Sequence, residues 1–222
     1  EIARERPKAI QTFDQGYVTT ETTLARVSYM DLNGDLRGRR IIILGDDDLV
    51  SIAVALTGMP KRVAVVEIDE RITNFIEKVS KERGLDIEIL TLDLRKPLPE
   101  DMIDAFDVFQ TDPTETFAGF KMFIKRGLAC IREGGSGYFG LTRIESSRNK
   151  WHKIERFLLE VGAVITDIIP NFNVYENWDY YESTRGYKLA PLKTPPKTLW
   201  YKSALFRLEL LKEFRWNEPI EE

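Results

Sequence analysis

The chain has 222 residues, 43% hydrophobic and 31% charged, with a formal net charge of −4, one cysteine and one histidine. A single Cys130 excludes an internal disulfide or a multi-cysteine zinc site, and a lone His152 excludes a histidine-rich metal cluster and argues against a Ser-His-Asp triad. No run of eighteen apolar residues occurs, the opening Glu1–Lys8 has no signal-peptide core, and the net acidity argues against nucleic acid, so a cytoplasmic globular protein without bound metal is expected.

In chain order, residues 19–31 have helical spacing, entered through Thr19 and Thr20. Residues 1–38 are therefore expected to be a lead-in with one helix, compatible with a linker to a preceding domain, and 39–222 the main domain. Asn33-Gly34 and Gly38 break the chain before Ile41-Ile42-Ile43-Leu44, a run apolar on both faces that suits a central parallel strand. Gly45-Asp46-Asp47-Asp48 ends it, and Leu49, Ile52, Ala53 and Leu56 begin helical spacing. The unit repeats with a strand over 62–68 and a helix carrying Ile72, Phe75, Ile76 and Val79, followed by strands at 87–92 and 105–111. A long helix with the stripe Phe117, Phe120, Ile124, Leu128 and Ile131 is expected to stop at Gly134-Gly135, before a strand over 137–142. One more helix (Trp151, Ile154, Leu158, Val161) leads to a strand over 163–169. A loop over 170–197, rich in Pro, Asn, Tyr and Trp, separates it from a final strand at 198–211. Strand-helix alternation implies a Rossmann-like, doubly wound, mostly parallel seven-stranded α/β sheet, with the last two strands as an antiparallel pair at its edge.

Ligands of such sheets bind beyond the carboxyl ends of the strands. Those positions hold Gly45, Asp46, Asp47 and Asp48, then Glu67 and Asp69, then Asp93, then Asp112, Pro113 and Glu115. Helix capping accounts for some of them, with Asp48, then Asp69 or Glu70, then Thr114 or Thr116 as the expected caps. It does not account for three successive aspartates, whose mutual repulsion suits a cationic ligand. The phosphate-binding patterns G-x-x-x-x-G-K-[ST] and G-x-G-x-x-G are absent, which disfavours NAD, FAD and ATP. An adenosine without phosphates fits better, with Glu67 accepting from the ribose hydroxyls and Asp93 from the adenine amino group.

The acid in Val66-Glu67-Ile68-Asp69, the acid in Leu92-Asp93-Leu94 and the segment Thr111-Asp112-Pro113-Thr114-Glu115-Thr116 resemble the class I S-adenosylmethionine methyltransferase layout. Gly-Asp-Asp-Asp stands where methyltransferases carry a glycine-rich loop beside the donor's methionine carboxylate. That exchange favours decarboxylated S-adenosylmethionine, which bears only positive groups. Together with Asn171-Phe172-Asn173-Val174-Tyr175-Glu176-Asn177-Trp178, the acidic loop resembles the N4-bis(aminopropyl)spermidine synthases, although Thr114 replaces that family's second proline.

The resemblance implies an aminopropyltransferase with decarboxylated S-adenosylmethionine as co-substrate, no tightly bound cofactor, and spermidine as acceptor. Its surroundings imply donor contacts from Gly45, Asp46, Asp48, Glu67, Ile68, Asp93, Leu94 and Asp112. Asp47 is the implied catalytic group, beside Asp112 and Glu115, while Tyr175, Glu176, Trp178 and Asp179 wall a polyamine channel. It also implies a domain upstream of this one. A homodimer is compatible with these features. A methyltransferase acting on an amine and a non-catalytic polyamine or adenosine sensor remain as alternatives.

Overall fold

The computed structural model describes residues 1–176, 182, 185–191, 193–194 and 197–220. Seven strands form one sheet: β1 (Arg40–Leu44), β2 (Arg62–Glu67), β3 (Glu88–Thr91), β4 (Phe106–Thr111), β5 (Ile131–Leu141), β6 (Ala163–Val174) and β7 (Lys202–Leu210). Their order is β3-β2-β1-β4-β5-β7-β6. The first five are parallel, and β7 runs antiparallel between β5 and β6. The order reverses between β1 and β4, and that switch point opens a crevice at the strands' carboxyl ends.

Ile41, Ile42 and Ile43 alternate between two cores and are fully buried. Each such side chain stabilises the fold by roughly 1.5–3 kcal/mol. Ile41 and Ile43 pack with residues of α1 (Thr20–Leu32), α2 (Val50–Leu56) and α3 (Glu70–Arg83). Ile42 packs with α4 (Phe117–Cys130) and α5 (Arg148–Glu160) on the other face. A short α6 spans Arg185–Leu189. Thr19, Asp69, Thr116 and Ser147 cap α1, α3, α4 and α5 through their side chains.

Three boundaries differ from the sequence reading. The helix ends at Cys130, and Ile131 already pairs with Phe106 in β5. Gly134 and Gly135 do not stop a helix; they lie in a bulge where Phe106 to Val108 faces Ile131 to Ser136, and Gly134 takes φ +77°. The strand expected to end at Ile169 continues to Val174. Its polar residues resemble a loop because Asn173 is a fully buried hydrogen-bonding partner rather than a solvated one. β7 is shorter than 198–211.

The lead-in packs into the same body. Val18 bridges Tyr175, and the Thr19 amide donates to the Val174 carbonyl at 2.8 Å. Among the described residues, no helix is long and apolar enough to cross a membrane.

Candidate active site

A cleft of about 360 Å³ opens at the carboxyl ends of β1, β2, β3 and β4, roofed by residues of the 11–16 segment. The turn after β1 shapes its floor. Gly45 takes φ +71°, and a side chain there would press on the Phe123 ring at 3.3 Å. Leu49 takes φ +56°, a conformation that branched residues rarely accept.

The three aspartates of this turn separate. Asp46 is fully buried and accepts the amides of Val50 (2.6 Å) and Ser51 (3.1 Å), so it, not Asp48, closes the start of α2. Burial pushes its carboxyl up to about 8. Asp48 accepts the Val18 amide at 2.7 Å and pairs with Arg26 at 2.5 Å. Neither Asp46 nor Asp48 lines the cleft; Asp47 does, and among the described residues its carboxylate accepts no hydrogen bond from the protein. Burial and the nearby Asp48, Glu67 and Asp112 push its proton affinity well above the usual carboxylate range.

Arg26, projecting from α1, is 2% exposed and has three partners. Its Nε donates to Asn173 Oδ1 (2.8 Å), Nη1 to Asp48 and Nη2 to Asp112 Oδ2 (2.7 Å). Tyr175 Oη also donates to Asp112 Oδ2, at 2.6 Å.

Further along the cleft, Glu67 Oε2 accepts the Asp46 amide (2.7 Å) and Oε1 the Asp69 amide (2.9 Å). Each oxygen keeps a lone pair for a hydroxyl donor. Ile68 stands 39% exposed at the tip of β2, facing the cleft with Leu94, Met122 and Phe123 as an apolar wall. Asp93 lies in the wall with its carboxylate held by Arg95 at 2.8 Å, which lowers its proton affinity. Asp69 turns away to Arg71. On the opposite side, Glu115 accepts from Ser146 Oγ (3.0 Å) and is pushed up to about 7 by burial, with Glu145 and Asp112 adding repulsion. Glu145 accepts from Tyr201 Oη at 2.9 Å. Asp14 is raised by burial and by Glu145.

Among the described residues the cleft is thus lined by Asp14, Asp47, Glu67, Asp93, Asp112, Glu115 and Glu145, and by no lysine or arginine. Acidic groups collected from six separate segments suit a polycation better than a ligand with a carboxylate or phosphate tail. The acidic row was therefore a partial clue: one of its three members faces the cleft, and the rest of the charge comes from elsewhere.

Residues 1–222 all match the branched-chain polyamine synthase A C-terminal domain. The chain belongs to that family. It is 54% identical over 215 residues to an N(4)-bis(aminopropyl)spermidine synthase of Thermococcus kodakarensis, covering 96% of this chain and 61% of that protein. A Thermus thermophilus enzyme of the same name is 53% identical, over 95% of this chain and 62% of its own length. The chain thus spans about three fifths of these relatives. A crystal structure of the branched-chain polyamine synthase from Thermus thermophilus, in complex with N4-aminopropylspermidine and 5′-methylthioadenosine, superposes with a TM-score of 0.95 at 51% identity. It covers all of this chain and 65% of that one. Magnesium protoporphyrin IX methyltransferase from Synechocystis, at 16% identity and a TM-score of 0.59 over 86% of this chain and 78% of its own, shares the fold.

In this domain, Gly45, Asp47, Glu67, Ile68, Asp93, Leu94, Asp112, Glu115 and Tyr175 meet around one cleft. Glu176 is not in its lining and lies 3.8 Å from Arg6 instead. Trp178 and Asp179 lie outside the described residues. Arg26, Asp14, Glu145 and Tyr201 escaped the sequence reading, and Asn173 entered it only within the segment that carries the family resemblance, without a role. Arg26 left a trace of its own: it follows the buried Thr22 and Thr23 by one helical turn and precedes Val27 and Met30, a charge on the apolar face of a helix.

Proposed function

We propose that this domain transfers the aminopropyl group of decarboxylated S-adenosylmethionine to the secondary amine of spermidine, giving branched N4-aminopropylated products and methylthioadenosine. The observation that carries this reading is a cleft lined by seven carboxylates and, among the described residues, by no basic side chain. A donor with an amino-acid tail would set its carboxylate against Asp47, Asp112 and Glu115, where among the described residues no basic side chain lines the cleft and Arg26 is already spent on Asp48 and Asp112. The decarboxylated donor instead brings a sulfonium and an ammonium. The pair of molecules bound by the Thermus thermophilus enzyme is a product pair of this kind.

In the transfer, the lone pair of the spermidine nitrogen attacks the propyl carbon bonded to sulfur, and the carbon–sulfur bond breaks with its electron pair passing to sulfur. The sulfonium becomes the neutral thioether of methylthioadenosine. In the first transfer the nitrogen, now carrying a fourth bond, loses a proton; in the second, the tertiary amine becomes a quaternary ammonium and no proton leaves it. Asp47 takes up the proton of the first transfer, because among the described residues its oxygens accept no hydrogen bond and its affinity for a proton is raised by burial and by its acidic neighbours. Glu67 holds the ribose hydroxyls, the wall of Ile68, Leu94 and Phe123 covers adenine, and Asp93 accepts from its amino group. Asp14, Glu115 and Glu145 balance the polyamine's remaining ammonium groups. Holding two cationic reactants in line is the larger task, and the acid lining reduces their repulsion while the walls set the attack angle.

Incubation of the domain with spermidine and decarboxylated S-adenosylmethionine, followed by mass spectrometry, tests the reading. The expected products are spermidine bearing one and two added aminopropyl groups, and methylthioadenosine. Methylated amine from S-adenosylmethionine, or no transfer from either donor by the full-length protein, would overturn it.

A further inference from the structure

Two carboxylates face the reaction centre, and the fold treats them oppositely. Among the described residues Asp47 accepts no protein hydrogen bond, whereas Asp112 is held on one oxygen by two donors, Arg26 Nη2 at 2.7 Å and Tyr175 Oη at 2.6 Å. Its other oxygen packs against the backbone of β5, where a side chain on Gly140 would fall 2.2 Å from Asp112 Oδ1. One rotamer of Asp112 is thereby selected. Arg26 itself cannot swing, since Nε is tied to Asn173 and Nη1 to Asp48. Asn173 is in turn locked by its own amide, which donates to Ser203 Oγ at 2.8 Å.

We infer that Arg26 is a positioning residue for aminopropyl transfer: its three-way anchored guanidinium holds Asp112 in one rotamer aimed at the cleft, leaving Asp47 as the carboxylate with open oxygens. The inference rests on the proposed transfer and deepens it by dividing labour between two acids. A lysine cannot replace Arg26 here, because a single ammonium lacks the fork that spans Asp48, Asp112 and Asn173. Charge alone is insufficient for the same reason, as the guanidinium neutralises only one of its two partner acids. Other titratable groups that act on Asp112 are Asp47 and Asp48 from the turn after β1, Tyr175 from the end of β6, Glu115 from the turn before α4, and Tyr201 from the start of β7. Burial, with Asp48 adding repulsion, raises the proton affinity of Asp112 above the ordinary carboxylate range, and Arg26 with the Tyr175 hydroxyl opposes that rise, so loss of Arg26 raises it further.

The test compares Arg26→Lys, Arg26→Met and the double variant Arg26→Met/Asp48→Asn, in which removal of one acid restores the charge balance lost with the arginine. In the double variant thermal stability recovers relative to Arg26→Met, while kcat stays about 100-fold or more below wild type. Its KM for spermidine moves less, and the acid limb of the kcat profile lies at higher pH than in wild type. Arg26→Lys falls between. Recovery of kcat together with stability, or an acid limb unmoved in the folded variants, overturns the inference and leaves Arg26 a purely structural ion. Calorimetric titration with spermidine across pH reads the same displacement without turnover. A wild type that transfers nothing but shows this displacement against the variants therefore sinks the proposed function and keeps the role of Arg26. An unchanged pH dependence of binding sinks the role alone.

Discussion

Two buried charge networks hang from the same helix, α1 and the turn after it, and they are built to opposite ends. Lower in the sheet, Asp35 accepts from Ser136 Oγ (3.1 Å), Tyr138 Oη (2.5 Å) and Arg207 Nε (3.0 Å). Arg207 spends its remaining donors on Glu209, Thr166 and Ser136. Acceptors and donors match, and no member of this network lines the cleft. At the carboxyl ends of the strands, Arg26 likewise spends every arm, but its acids are only part of an excess that ends in Asp47, whose oxygens have no hydrogen-bonding protein partner among the described residues. Burying a charge is costly unless it is paired and hydrogen-bonded. The saturated network is therefore architecture. The unsaturated one keeps acceptor capacity for something that arrives from solution.

The sharpest way to break that contrast is Asp47→Asn. It keeps shape and removes the proton acceptor, so transfer to spermidine should fall by about 10³-fold, within the range of positioned general bases, while calorimetry finds methylthioadenosine bound within roughly threefold of wild type. Turnover close to wild type would remove Asp47 from the chemistry. The mirror experiment is Arg207→Met. It strands Asp35 and should destabilise the domain by about 3 kcal/mol, a fall in melting temperature of roughly 6–12 °C for a chain of this size. Activity per folded molecule should be unchanged. If Arg207→Met slows transfer in the folded state as Arg26 variants do, the two networks are not distinct in kind and the contrast fails.

The legibility of these regions differed for a physical reason. The central strand was readable from Ile41-Ile42-Ile43 because burial on both faces demands consecutive apolar residues, and the place of the cleft followed from the topology of parallel sheets. Asp47, Glu67, Asp93 and Asp112 were reachable by looking just past each strand. The use of the aspartate row was not readable. Three identical side chains take three roles because the strained turn at Leu49 points Asp46 into a helix start, Asp48 toward Arg26 and Asp47 into the cleft. Side-chain direction in an irregular turn has no periodicity to reveal it. Asp14, Glu145 and Tyr201 were hidden for another reason, since they reach the cleft from segments far apart in sequence. Asn173 looked like a loop residue because polar partners of a buried arginine have the same composition as solvated turns.

The gentlest probe is proton linkage. Glu115 has a folded-state value of about 7 against an ordinary 4.5, and Asp46 about 8 against 3.8, both raised first by burial. A group that binds its proton more tightly when folded contributes stability that is complete below its unfolded value and lost as pH rises through its folded value. The unliganded domain should therefore lose stability from about pH 4 to 8 on account of these two acids. Asp107, held down by Arg40 and Arg132, acts in the opposite sense at lower pH. Asp46 does not line the cleft, so a ligand relieves Glu115 and not Asp46. Spermidine brings positive charge to Glu115 and should expel its proton, so calorimetry near pH 6.5 in buffers of different ionisation enthalpy should register proton release, and Glu115→Gln should diminish it. Binding heats independent of buffer in the wild type would mean that Glu115 already meets the polyamine ionised, and that the cleft's spare acceptor capacity resides in Asp47 alone.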